Sequence, residues 1–376
     1  MRVYLDNAAT TKVDDEVIKA MNPYFNKIYG NASSLHSFGN EAKNALENSR
    51  RIIAEKINAD TSEIIFVASG TEADNLAILG TAFLKEKGHI LTTKIEHPAV
   101  LETCKELEKR GFQVTYLDVD KEGFIKNFED NLRKDTILVS VMHANNEIGT
   151  IQNIERIGKI CREKNIVFHS DCVQSFTKES IDVKKMNLDL ASFSSHKIHG
   201  PKGVAALYIR KGIKLKRIIY GGHHELNIRP GTENIPGIVG FAKASQLLNK
   251  NEIERTTKLR NKLIDGLLKI PDTKLNGSRE RRLCNNVNVS FKYVEGESLL
   301  LYLDEKGIAV STGSACSSQT LEPSHVLLAI GLPHEIAHGT IRFSLSKYTT
   351  EKEIDYTIKS VKEVVEKLRK ISPIRR

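Results

Sequence analysis

Four consecutive side chains, Ser194, Ser195, His196 and Lys197, combine two hydroxyls, an imidazole and an amine. A Gly-Pro-Lys-Gly turn follows from Gly200 to Gly203, and then an apolar run over 204–209 that reads as a strand. A lysine held between apolar segments is costly to bury as a cation, so its pKa should fall and its amine should condense with an aldehyde as a Schiff base. The flanking hydroxyl and imidazole suit a phosphate. Together these functions suggest pyridoxal phosphate (PLP). A surface lysine beside a turn has the same local sequence, so the rest of the chain has to decide.

Other clusters offer compatible chemistry. Ser69-Gly70-Thr71 stands between a predicted strand over 63–67 and a predicted helix over 72–87. The free N–H groups of a helix start can hold a phosphate, and glycine permits close approach, although an ordinary capping turn reads the same way. His97 follows the strand over 89–93 and can stack on a flat ring or be a plain loop histidine. Asp171 and Gln174 end a buried strand. A carboxylate there can pair with a pyridinium nitrogen and keep it protonated, or cap a helix. Gln174 and Asn146 can hydrogen-bond a phenolic oxygen. In Ser311-Thr312-Gly313-Ser314-Ala315-Cys316-Ser317-Ser318 a thiol sits in a small, polar setting, which suits an exposed nucleophile better than a packing cysteine. Arg342 can clamp a substrate carboxylate bidentately or form a surface ion pair.

The elements that must position these groups alternate. Strands over 63–67, 89–93, 113–117, 136–142, 166–169 and 188–193 are separated by helices over 72–87, 99–110, 128–133 and 154–164. An earlier helix is expected over 16–25 and another over 40–57. This alternation predicts an α/β fold with a mostly parallel sheet between helices, in which ligands sit at the carboxyl ends of the strands. Each polar cluster before residue 200 falls just after a strand. A long helical stretch over 235–269, broken near 249–252, leads into a smaller α+β region. The expected division is a large PLP-binding domain over 13–250 and a small domain of 1–12 with 251–376, carrying a cysteine loop at about 311–323.

Composition narrows the classes. The net charge of +9 comes without a block of five like charges, so stable nucleic-acid binding is not expected, and contact with an acidic partner such as tRNA would be transient. Cys104, Cys161, Cys172, Cys284 and Cys316 are odd in number and widely spaced without a CxxC, against a disulfide framework or a zinc site. No stretch has signal-peptide or membrane-span character, so a cytoplasmic protein is expected.

Taken in order, the clusters resemble the cysteine desulfurases of the NifS/IscS class, within the class V aminotransferases. The markers are Tyr4-Leu5-Asp6-Asn7-Ala8-Ala9-Thr10-Thr11, Glu96-His97, His143-Ala144-Asn145-Asn146-Glu147-Ile148-Gly149, Ser195-His196-Lys197, Arg229-Pro230-Gly231-Thr232 and Ser314-Ala315-Cys316. The resemblance implies a fold-type I PLP enzyme and a homodimer acting on L-cysteine. Lys197 would carry the cofactor, His97 would stack on its ring and shuttle protons, and Val173 would cover the other face. Asp171 would pair with the ring nitrogen, with Gln174 and Asn146 near the ring hydroxyl. Gly70, Thr71, Ser194 and His196 would hold the phosphate, with Thr232 reaching in from the other subunit. Arg342 and Asn146 would hold the substrate carboxylate. Cys316 would take the sulfur as a persulfide, leaving alanine, and pass it to an iron–sulfur scaffold protein or another acceptor, tRNA thiolation included. Cys316 is also a candidate iron–sulfur ligand, and no other metal ligand is expected. Departures from the family pattern include Cys172 beside Asp171, and His223 and Pro230 in the stretch 221–232. Two other readings are a selenocysteine lyase or other enzyme of the same fold, which does not need Cys316, and a non-catalytic sulfur or cluster scaffold.

Overall fold

The computed structural model describes residues 1–312 and 323–371. The chain opens with β1 (Val3–Tyr4) and the helices α1 (Asp15–Met21), α2 (Pro23–Asn26) and α3 (Ser37–Lys56). It then alternates through β2 (Ile64–Val67), α4 (Gly70–Ala82), β3 (His89–Thr93), α5 (Pro98–Lys109), β4 (Gln113–Leu117), β5 (Thr136–Ser140), α6 (Ile154–Glu163), β6 (Val167–Asp171), β7 (Leu190–Ser194) and β8 (Ala205–Ile209). Next come α7 (Ile235–Ser245), α8 (Lys250–Leu267), β9 (Thr273–Leu275), β10 (Asn286–Phe291), α9 (Gly296–Glu305) and β11 (Ile308–Ala309). The last elements are β12 (Ser311–Thr312), α10 (His325–Ala329), α11 (His334–His338), β13 (Thr340–Ser344) and α12 (Glu351–Ile371). No helix among the described residues is long and apolar enough to cross a membrane.

The main sheet has seven strands in the order β2-β8-β7-β6-β5-β3-β4. The pairs β3–β4, β3–β5, β5–β6 and β6–β7 are parallel, as the alternation of elements requires. Strand β8 runs antiparallel to both neighbours, β2 and β7. The link between β7 and β8, residues 195–204, is too short for a helical crossover, so the chain turns back on itself. Strands β2, β5 and β8 are largely apolar and buried on both faces, which is the usual sign of a sheet covered by helices on each side.

A second sheet of four antiparallel strands, β12-β13-β10-β9, has its own core. Val3 and Leu5 pack in that core with Leu263, Val289, Phe343 and Val361, although they begin the chain. β1 pairs in parallel with β11, and Asp6 bridges to Ser344. Residues 6–11 then cross from the second sheet to the main one. Asn7 Nδ2 donates to Ser344 O at 2.8 Å, and Thr11 N donates to His196 O at 3.0 Å.

Three helices differ from the reading of the sequence, each for a local reason. The expected helix over 16–25 is two helices, because Pro23 has no N–H to continue the first and takes the opening position of the second. The helix expected over 72–87 is α4, and it starts earlier because Ser69 caps it by accepting from Glu72 N at 3.1 Å. Gly70 and Thr71 therefore lie in its first turn, where backbone N–H groups have no partner in the helix. The stretch 128–133 forms only a short 3-10 turn, Glu129–Asn131. The break near 249 is present, with Asn249 capping α8.

The stretch 221–232 is held by a buried ion pair. Glu225, Leu226 and Asn227 all have left-handed backbone, with φ of 44°, 55° and 62°, which is costly for residues with a Cβ. Glu225 is anchored by two bonds of 2.8 Å from the Arg50 guanidinium and one of 2.6 Å from Phe66 N. Glu225→Ala would leave the buried Arg50 with only the longer 3.3 Å contacts to Glu47 and a bond to the Ile64 carbonyl, so it should lower stability by about 3 kcal/mol. The double variant Arg50→Met/Glu225→Leu should recover most of that loss. Urea unfolding of the three proteins checks this, and a loss in Glu225→Ala of under about 1 kcal/mol would show that the pair is not what holds the turn.

Candidate active site

The site lies at the carboxyl ends of β2, β3, β5, β6 and β7. β7 ends at Ser194, and a single 3-10 turn, Ser195–Lys197, delivers the lysine. The turn exists because Ile198 N and Gly200 N both return to Ser195 O. Lys197 Nζ donates to Ala8 O and Ala9 O, each at 2.7 Å. The strap of residues 6–11, which entered the sequence analysis only as a family marker, therefore supplies both acceptors. Gln174 Nε2 donates to the same Ala8 O at 3.0 Å, so Lys197 and Gln174 meet over the strap. His196 Nδ1 lies 3.2 Å from Thr10 Oγ1.

Gly70, Val173 and Ser194 converge on one point. A Cβ on Gly70 would lie 3.0 Å from Val173 Cγ2 and 3.8 Å from Ser194 Cβ, so a side chain there would fill the hollow above the first turn of α4. Thr71 follows in that turn and is exposed. Asp171, the last residue of β6, is buried, and its Oδ1 accepts from Val173 N at 2.8 Å. Burial pushes the Asp171 carboxyl up to about 6, with the Val173 N–H and the charge of Lys197 acting against that rise.

His97 caps α5, with Pro98 next. Ala99 N donates to His97 Nδ1 at 3.1 Å, which places the neutral ring's proton on Nε2. Burial first, then the charges of Lys197 and His325, push His97 down to about 4, so it is neutral at neutral pH. Before it, Glu96 is fully buried. It accepts from Thr93 Oγ1 at 2.7 Å and from Met142 N at 3.0 Å, and burial pushes it up to about 8.

Arg342, on β13, reaches the site from the second sheet. Its Nη1 donates to Asn146 O at 3.1 Å and its Nη2 to Asp6 Oδ1 at 3.0 Å. Its Nε is buried with no hydrogen-bond partner, an open donor on a fixed cation. Thr232 stands apart from this group. It is exposed and lines a separate groove with Ala68, Gly203 and Arg229. Cys316 and the rest of 313–322 lie outside the described residues.

Donor chemistry and shape fit PLP. The hollow at Gly70 beside free helix N–H groups suits a phosphate, the buried Asp171 suits a ring nitrogen, and the amine of Lys197 stands near both Asp171 and His97. Two groups that the sequence did not flag are also close. Glu147 is buried beside Asn146 and accepts from Ser324 Oγ. Asp74 is buried on α4. Asp74 stands among Thr71, Glu72 and Asn75, so the sequence carried no signal of its burial.

Glu96 gives a pH test. An unfolded glutamate titrates near 4.5 and the native Glu96 near 8, so the native state keeps a proton that the unfolded chain has lost. The stabilisation this provides is complete below 4.5 and is lost as pH rises to 8. The depressed histidines act in the opposite sense, and their contribution is complete above 6.5. Those histidines are common to both proteins and cancel in the comparison, so the stability of Glu96→Gln relative to wild type should grow between pH 4.5 and 8 and then level off, as read by denaturant midpoints. A gap independent of pH would show Glu96 already ionised in the native protein.

Comparison with known proteins agrees with this geometry. Residues 3–357 match the aminotransferase class-V family. A cysteine desulfurase IscS of Dictyoglomus turgidum is 54% identical over 379 residues, covering 99% of this chain and 96% of that protein. Among solved structures, a NifS-like protein superposes with a TM-score of 0.92 at 42% identity, covering 97% of this chain and all of the other. The structure of SspA in complex with cysteine has a TM-score of 0.84 at 38% identity, covering 93% of this chain and 100% of that one. With the lysine turn, the buried aspartate and the helix-start hollow at the ends of the same sheet, the chain belongs to the class-V aminotransferase family, in its PLP-dependent cysteine desulfurase branch.

Proposed function

We propose that the protein is a cysteine desulfurase that converts L-cysteine to L-alanine and places the sulfur on Cys316. The observation that carries this reading is the convergence of Lys197, Asp171, His97 and Arg342 at one end of the main sheet, in a chain that shares about half its residues with cysteine desulfurases over its length.

When bound, PLP supplies an electron-withdrawing ring that makes the substrate's Cα proton acidic and its C–S bond labile. Lys197 would hold the cofactor through Nζ. The N–H groups of Gly70 and Thr71, with Ser194 and His196, would hold its phosphate, and Thr232 of a second copy would complete that grip in a homodimer. Asp171 would keep the ring nitrogen protonated, Gln174 and Asn146 would orient the ring hydroxyl, and His97 and Val173 would cover the two ring faces. His97 Nε2 is the ring atom left to exchange protons with the substrate, since Nδ1 is occupied by Ala99 N. Arg342, already aligned by Asn146 O and Asp6, receives the substrate carboxylate. Cys316 bonds its sulfur to the substrate sulfur as the C–S bond breaks. The electron pair and a proton remain on carbon, so L-cysteine and a thiol become L-alanine and a persulfide.

The other cysteines support this choice of nucleophile. Cys104, Cys161, Cys172 and Cys284 are all buried, and burial pushes the first three thiols up to about 12 and Cys284 up to about 11. A thiol held that far from ionisation is a poor nucleophile. We place the enzyme in the cytoplasm, as a two-domain protein divided as expected from sequence. Its sulfur goes to an iron–sulfur scaffold or another thiol acceptor.

The test is alanine and sulfide release from L-cysteine with a thiol reductant. Cys316→Ser should keep the absorbance of the Lys197-bound cofactor while turnover falls by at least about a hundredfold. Lys197→Ala should lose that absorbance. Equal sulfide release from wild type and Cys316→Ser would remove Cys316 from the reaction and favour the lyase reading.

A further inference from the structure

Asp74 projects from the second turn of α4 onto the face of the sheet that carries Asp171. It is only 1% exposed, and its Oδ1 has no hydrogen-bond partner. The basic side chain beside that oxygen is His169, whose Nε2 is 3.6 Å away. His169 lies two residues before Asp171 on β6, and so on the same side of the strand. Its ring is fully buried between two hydroxyls, with Nδ1 2.9 Å from Ser140 Oγ and Nε2 3.0 Å from Ser192 Oγ. Burial pushes His169 down to about 3, so it brings no positive charge.

The other groups facing Asp74 are Asp171 and Glu96, both acids, the thiol of Cys172 and the hydroxyl of Ser192. Two carboxyl groups in a dry interior with no cation between them cannot both be ionised. Their surroundings decide which one keeps the proton. Asp171 accepts a backbone N–H from Val173 and feels the charge of Lys197, and each of these favours its anion. Asp74 Oδ1 has neither, and only the Ser192 hydroxyl favours the Asp74 anion, against burial and the charges of Asp171 and Glu96.

We propose that Asp74 is a positioning residue for the reaction: it holds a proton permanently beside Asp171, so that Asp171 alone is the anion that meets the cofactor's ring nitrogen. This rests on the reading that Asp171 pairs with that nitrogen. An ionised Asp74 would force a proton onto Asp171, and the ring nitrogen would lose its counter-charge. Asp74 touches neither substrate nor cofactor in this account and acts only through Asp171. His169, Ser140 and Ser192 form a neutral floor that offers the proton no better base.

The experiment uses holoenzyme, with infrared spectroscopy of protonated carboxyl groups and nitrogen NMR of ring-labelled PLP. Asp74→Asn should lose one protonated-carboxyl band and keep the ring nitrogen in its protonated form. Asp171→Asn should keep that band and shift the ring nitrogen to its unprotonated form. If the band survives in Asp74→Asn, the proton is not on Asp74 and the proposal is overturned, while the Asp171 reading stands. If Asp171→Asn leaves the ring signal in place, the ring-pairing reading falls and the proposal falls with it. Should Asp74→Asn fail to fold, titration of the wild type decides: Glu96 loses its band near pH 8, and a second buried-carboxyl band must persist above that. Its absence overturns the proposal.

Discussion

One negative charge in a dry place governs the layout of this protein. Asp171 ends a strand that is buried on both faces, where an isolated carboxylate would take up a proton rather than stay ionised. Two features reduce that penalty at once: the Val173 N–H and the nearby Lys197. The lysine in turn stays in place because the strap 6–11 offers it two carbonyl oxygens. Removing any one of these would alter the charge on which the cofactor's chemistry depends.

Much of this was legible in the sequence because it is local. The lysine turn follows a strand and precedes a Gly-Pro-Lys-Gly turn, and both features are written in consecutive residues. The strand ends were visible as apolar runs closing in polar clusters, and the sheet rule for ligands then placed the site. The direction of strand β8 was left open, since alternation of elements says nothing of direction, and it runs antiparallel to both neighbours. The short link after Lys197 held the information.

What was not legible is tertiary adjacency. Asp74 and Asp171 belong to different elements, and nothing in the spacing of either predicts that they share one dry pocket. An aspartate beside Glu72 and Asn75 reads as an exposed residue until the sheet is seen beneath it. The strap shows the same limit. Its small residues, Ala8 and Ala9, act through backbone oxygens, which a sequence does not distinguish from any others. The second core likewise recruits Val3 and Leu5 from the far end of the chain.

That recruitment bears on when the site can exist during synthesis. The strap leaves the ribosome long before its anchors: Asn7 holds Ser344, 337 positions later, and β1 pairs with Ile308 and Ala309. Until those strands emerge, the strap has nothing in the second sheet to hold it over Lys197. A nascent chain can therefore build the main sheet and the lysine turn without a finished site. The site is therefore completed only once the strands of the second sheet that anchor the strap have been made.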